Sequence, residues 1–201
     1  MTQSTDTFAA EVTTATATNV TATHYDRGYR WLHWSMAVLI LLMFLAGFGF
    51  ADAKTDAEHM TMLIGHSSIG TVLSLLLILR IGKRFVVRSV KPVHPLPVLQ
   101  QYAAKAVHLG LYACMIFIPV SGYLTASMHQ LPVKVFSVFN ISQGAADAAS
   151  EQTFSLLRQA HEYGISLIML LLVLHIGAAL YHQFVNKDRV LFSMLGRNKK
   201  S

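Results

Sequence analysis

Apolar and polar positions alternate along this chain on a long wavelength. Four apolar runs, about Tyr29–Phe50, Met60–Ile81, Ala104–Met128 and His161–Val185, are separated by shorter polar stretches. Each can cross a hydrocarbon layer of about 30 Å, which takes about 20 helical residues. Each must be helical there, because lipid offers no partner to an unpaired backbone group. Pro119, inside the third run, is compatible with a kinked membrane helix. The pattern predicts an all-α fold, a bundle of four transmembrane helices.

Composition agrees. Hydrophobic residues make up 53% and charged residues 13%, against roughly 25% charge in a soluble domain. The net charge is +6, but most basic residues sit just outside the apolar runs. They therefore set topology rather than bind nucleic acid. Arg27 and Arg30 precede the first run, Lys83, Arg84, Arg88, Lys91 and Lys105 fall between the second and third, and Lys187, Arg189, Arg197, Lys199 and Lys200 follow the fourth. The first connection holds Asp52, Asp56 and Glu58 with only Lys54, and the third holds Lys134 and Arg158 with Asp147 and Glu151. The positive-inside rule then puts both termini in the cytoplasm.

Residues 1–24, rich in Thr and Ala, lack the basic and apolar regions of a signal peptide and read as a disordered cytoplasmic tail. Residues 25–195 form the membrane domain, and 196–201 a basic C-terminal tail. Between the second and third runs, "KPVHPLP" is a short extended linker. The single cysteine, Cys114, lies in an apolar run and reads as a small buried residue, so there is no disulfide framework, no CxxCH haem attachment and no CxxC zinc pair. Trp31 and Trp34 fit an interfacial aromatic belt.

Histidines stand out against this background, because ionisable residues inside a bilayer are costly and usually functional. His161 and His175 are fourteen residues apart. That interval falls about 40° short of four turns and rises roughly 21 Å, so the two share one helix face at two depths. His33, early in the first run, matches the inner depth of His175. His66, early in the second, matches the outer depth of His161. Two neutral imidazoles on facing helices suit a six-coordinate haem iron. The expected pairs are therefore His33 with His175 on the inner haem, and His66 with His161 on the outer. Gly65, Gly70, Gly164 and Gly177 would admit a flat macrocycle. Arg80, fourteen residues after His66, lies near the inner haem; it is either a partner for a propionate or quinone or a snorkelling surface anchor.

These residues resemble the bacterial cytochrome b561 family, small four-helix dihaem proteins of the inner membrane. The matching stretches are "RWLHW", "IGHSSIG" with Arg80, "HLGLY…IPVSGY", and "HE" followed fourteen residues later by "LH" and then "YHQFVNKD". The likeness covers about residues 25–195, and the long N-terminal tail departs from the compact family pattern. The resemblance implies two non-covalent b haems and ubiquinone as electron acceptor. In the best-matching branch the donor is superoxide at the periplasmic side, which makes the expected activity that of a superoxide oxidase. His108 and His182, at the cytoplasmic ends of the third and fourth runs, are then candidates for quinone or propionate contact, with interfacial packing as the alternative. Arg158, three residues before His161, and Lys134 could steer an anion toward the outer haem, although isolated surface charges are ordinarily only solvated. Glu162 would complement a helix N-terminus, and His59 would be interfacial.

Two other functions fit the same pattern. One is an electron-transfer subunit that takes electrons from a periplasmic redox protein or dehydrogenase. The other is a metal or proton transporter that uses the histidines without haem. Short outer connections favour a small diffusible donor.

Overall fold

The computed structural model describes residues 26–86, 97–128, 133–142, 148–187 and 190–195. The expectations for the N-terminal tail, His24, His94, His129, Lys91 and residues 196–201 lie outside the described residues. Four long helices run up and down: α1 (Arg27–Asp52), α2 (Asp56–Val86), α3 (Val98–Ser127) and α4 (Ala148–Phe184). A two-stranded antiparallel hairpin, β1 (Lys134–Val135) and β2 (Phe139–Asn140), sits between α3 and α4, and a short α5 (Val190–Leu195) follows α4. All four long helices are long and apolar enough to span a membrane.

The helices outrun the apolar runs. α4 has 37 residues, roughly 55 Å, and begins thirteen residues before His161. Hydropathy marks only the part in lipid, whereas the backbone ladder continues into water wherever side chains allow it. Capping decides where helices stop. Asp26 accepts the Tyr29 amide (3.3 Å) and pairs with Lys83, which ties the start of α1 to the end of α2. At the other end Glu58 accepts the Lys54 and Thr55 amides (2.7 and 3.1 Å), while the Thr55 hydroxyl takes the Glu58 amide (3.3 Å). This capping box reverses the chain within a few residues. Asp56 and Glu58 in the first turn of α2, and Lys83 and Arg84 in its last, complement the helix dipole.

α1 packs on α2 and α3 on α4, and the two helical pairs meet sparsely. Gly164 takes part in the closer of these contacts. A Cβ there would lie 3.1 Å from Ile118 and Phe117, so Gly164 serves α3–α4 packing rather than admitting a macrocycle as the sequence suggested. Gly65 and Gly177 have no neighbour within 4 Å of a built Cβ, as a slot between the halves requires. Cys114 is buried as expected, and Trp31 is exposed. Trp34 does more than face the interface: its indole donates to the Met194 carbonyl of α5 (3.2 Å).

The hairpin was not legible in the hydropathy. Its turn, closed by Val138 N–H to the Val135 carbonyl (3.1 Å), places both Phe136 and Ser137 at positive φ (52° and 60°). That backbone matches the twist of a two-residue hairpin, although Asn-Gly is the sequence that adopts it readily. Serines of α2 hold the hairpin down. Ser67 donates to the Lys134 carbonyl (2.9 Å), and Ser68 accepts the Phe136 amide (2.7 Å). Val133, just before β1, and Val135, within it, are buried.

Candidate functional site

The two expected histidine pairs are both present, each facing across the two halves of the bundle. His66 of α2 and His161 of α4 have ring centres 6.2 Å apart at the hairpin side. His33 of α1 and His175 of α4 have ring centres 6.3 Å apart nearer the termini. Two imidazoles on opposite sides of one metal ion put their ring centres about 6 Å apart, from roughly 2 Å per metal–nitrogen bond and roughly 1 Å from nitrogen to ring centre. Both pairs fit that span. Among the described residues there is no group of three or more His, Cys, Asp or Glu able to hold a metal ion. A bare ion needs three or four protein ligands. A pair suits a metal whose other positions are filled by a macrocycle, as in haem.

His161 is held by α3. Its Nδ1 lies 3.0 Å from the Ile118 carbonyl and 3.1 Å from the Ser121 hydroxyl. Ser121 is buried and donates to the same carbonyl (3.0 Å). A Cβ on Gly122 would lie 2.9 Å from the ring, so only glycine lets the imidazole sit there. In the sequence this "IPVSGY" stretch is marked only by its family likeness, which assigns it no task. Its spacing opposite His161 on antiparallel helices was the available signal. His66 differs, because its Nδ1 is buried without a hydrogen-bond partner among the described residues.

Near the termini the surroundings are cationic. Arg80 Nε donates to the Tyr112 hydroxyl (3.2 Å) and Nη2 to the Tyr29 hydroxyl (3.4 Å), with the guanidinium 4.5 Å from the Tyr29 ring centre. Nη1 of Arg80 is buried without a hydrogen-bond partner among the described residues. A guanidinium clamped by two tyrosines is not a snorkelling anchor, and nothing in the spacing of Tyr29 and Tyr112 along the chain signals that clamp. Arg84 lies 5.8 Å from the Tyr112 ring centre.

His108 corrects an expectation. α3 begins at Val98, so His108 stands level with His175, ring centres 5.2 Å apart, rather than at the start of the helix. That is a ring contact too short to hold a metal between the rings, and both residues belong to the same half of the bundle. His108 Nδ1 donates to the Ala104 carbonyl (2.6 Å). His182, at the end of α4, takes a hydrogen bond with Asn186 (3.2 Å). Arg158 is not an isolated cation, because its Nε pairs with Glu162 one turn on (3.0 Å), both exposed. Glu162 therefore cannot complement a helix start, which lies a further fourteen residues back at Ala148. Lys134 sits in β1, where its carbonyl accepts from Ser67, the residue that follows His66.

The prokaryotic cytochrome b561 family profile matches residues 24–197. The chain is 30% identical over 167 residues to cytochrome b561 homolog 2 of Escherichia coli (strain K12), covering 83% of this chain and 88% of that protein. It is 27% identical over 175 residues to cytochrome b561 homolog 1 of the same organism, covering 84% and 95%. Four apolar helices that face one another through paired imidazoles, together with a match along almost the whole bundle, place the chain in the prokaryotic cytochrome b561 family of multi-pass membrane electron-transfer proteins that bind b haem.

Proposed function

We propose that the chain holds two b haems, one at each histidine pair, and passes electrons from superoxide at the hairpin side to ubiquinone in the terminal half of the membrane. The observation that carries this reading is the pair of ring-centre spans, 6.2 and 6.3 Å, at two depths of α4. His66 and His161 would ligate one haem, and His33 and His175 the other. When bound, each haem supplies a one-electron carrier. The overall balance is two superoxide ions and two protons with one quinone, giving two dioxygen molecules and one quinol.

The chain's own residues then divide the work. Lys134 raises the local concentration of an anion near the hairpin-side pair, with Arg158 second because Glu162 offsets it. Arg80 offers its unpartnered Nη1 to a propionate or quinone oxygen. His108 and His182 belong to the half where quinone must take up protons, and would contact quinone or a propionate there. The basic residues at both ends of the chain support an orientation with both termini in the cytoplasm of a bacterial inner membrane. A reporter fused at Asp56 should accordingly read as periplasmic, and a cytoplasmic reading would reverse the orientation.

One observation favours a second reading. Phe136, Val138 and Phe139 of the hairpin are exposed, as a docking face for a periplasmic redox protein would be. Stopped-flow mixing of superoxide with the purified holoprotein, with and without quinone, separates the two. Superoxide should reduce the protein rapidly and quinone should reoxidise it. A protein with a b-type spectrum that superoxide does not reduce supports the docking subunit instead, and a protein without that spectrum ends both.

A further inference from the structure

Ile118, Ser121 and Gly122 lie on one turn of α3, and all three address the imidazole of His161. A carbonyl oxygen has no hydrogen to give, so the 3.0 Å contact from Ile118 requires that Nδ1 of His161 carry the ring proton. Nε2 is left with its lone pair. The Ser121 hydroxyl spends its one proton on the Ile118 carbonyl (3.0 Å), so its oxygen faces Nδ1 as a second acceptor at 3.1 Å. Ser121 is only 4% exposed, so water does not compete for these bonds. Gly122 removes the one side chain that would push the ring away, with a built Cβ 2.9 Å from the ring. The facing His66 has no such device, for its buried Nδ1 is unpartnered among the described residues.

We propose that Ser121, acting with the Ile118 carbonyl, is a positioning residue that fixes the tautomer and ring orientation of His161 and makes it the more electron-rich ligand of its pair. The inference rests on the reading that His161 ligates a haem. A ring N–H that donates to firm acceptors raises the basicity of the ligating nitrogen. A more basic axial ligand stabilises the oxidised iron over the reduced, which lowers the reduction potential of that haem. The hairpin-side haem would then be tuned from α3, a helix that contributes neither of its ligands.

Redox titration of the purified holoprotein, followed by its visible spectrum, tests this alongside electron paramagnetic resonance of the oxidised form. Ser121→Ala should keep both haems and raise the midpoint of one, by roughly fivefold in its reduction equilibrium, the worth of about one hydrogen bond. The other midpoint should not move. Ser121→Thr, which keeps the hydroxyl, should restore the wild-type value. Gly122→Ala should alter the resonance signature of the same haem, because it forces the ring to turn. Unchanged midpoints in Ser121→Ala, or equal shifts of both haems, would overturn the proposal. If Ser121→Ala does not fold, Ser121→Thr and Gly122→Ala still decide it, since wild-type resonance in Gly122→Ala would show that α3 does not set the ring. A wild type lacking any b-type spectrum refutes the haem reading itself, which is a separate failure.

Discussion

The two histidine pairs have nearly the same span, 6.2 Å at the hairpin side and 6.3 Å near the termini, yet their surroundings have little in common. Around the His161 ring at the hairpin side the direct contacts are neutral: a backbone carbonyl, a serine hydroxyl and a glycine gap. Near the termini they are ionic or titratable: Arg80 held by Tyr29 and Tyr112, Arg84 over Tyr112, and His108 against His175. A neutral, shielded setting suits a site that only accepts an electron. A setting with a cation and spare imidazoles suits a site where negative charge accumulates and protons must be supplied. On the proposed ligation one pair geometry would serve two tasks, and the difference would lie in what surrounds the rings.

Ligand removal should give the largest effect. His66→Ala should lose the hairpin-side haem and His175→Ala the other, each lowering bound haem by roughly half in a pyridine haemochrome assay. His108→Ala should keep both, and loss of a haem there would mean that the terminal-side pair has been misassigned. Arg80→Gln comes next. Withdrawing a cation from beside one haem makes its reduced form less favourable, so that midpoint alone should fall, on the order of tenfold in the reduction equilibrium. If both midpoints fell together, the contrast between a neutral and a cationic site would be lost.

Smaller effects are expected at the surface. Lys134→Glu should slow reduction by superoxide a few-fold at low salt, and the defect should shrink as salt rises. Arg158→Glu should slow it less, because Glu162 already offsets that charge. Equal defects in stopped-flow traces would remove the special place given to the hairpin. The smallest effect concerns the clamp between α1 and α2. The hydrogen bond from Lys83 holds the Asp26 carboxyl below the usual carboxylate range. A lowered folded-state pKa stabilises above the unfolded value, about 3.9, and that contribution is lost as pH falls through the lowered value. The gap in melting temperature between wild type and Asp26→Asn should therefore be present at neutral pH and close in strong acid.

The four helices and both pairings were legible because hydropathy and the 3.6-residue period fix depth and face. Fourteen residues between His161 and His175 could only mean two levels on one face. What touches each ring was not legible, since Ser121 and Gly122 approach His161 from forty residues away through a close α3–α4 contact. The level of His108 was misread because α3 extends beyond its apolar run into residues that hydropathy treats as loop. The salt bridge of Arg158 escaped for the same reason, because it needs α4 to be helical before its apolar run begins. The hairpin turn escaped because Phe136-Ser137 carries none of the usual Asn-Gly chemistry.

The sparse meeting of the two helical pairs has a consequence for how the protein comes into being. α1–α2 carries His33 and His66, while α3–α4 carries His161 and His175, so neither half owns both histidines of a facing pair. On the proposed ligation each half can enter the membrane and fold as its own hairpin, but cofactor capture must wait for both. Much of the adhesion between the halves then comes from the captured cofactor, and a ligand that binds only the assembled state stabilises it in proportion to its supply. Cellular haem availability would thus act as a quality gate, leaving starved copies as two loosely associated hairpins open to proteolysis.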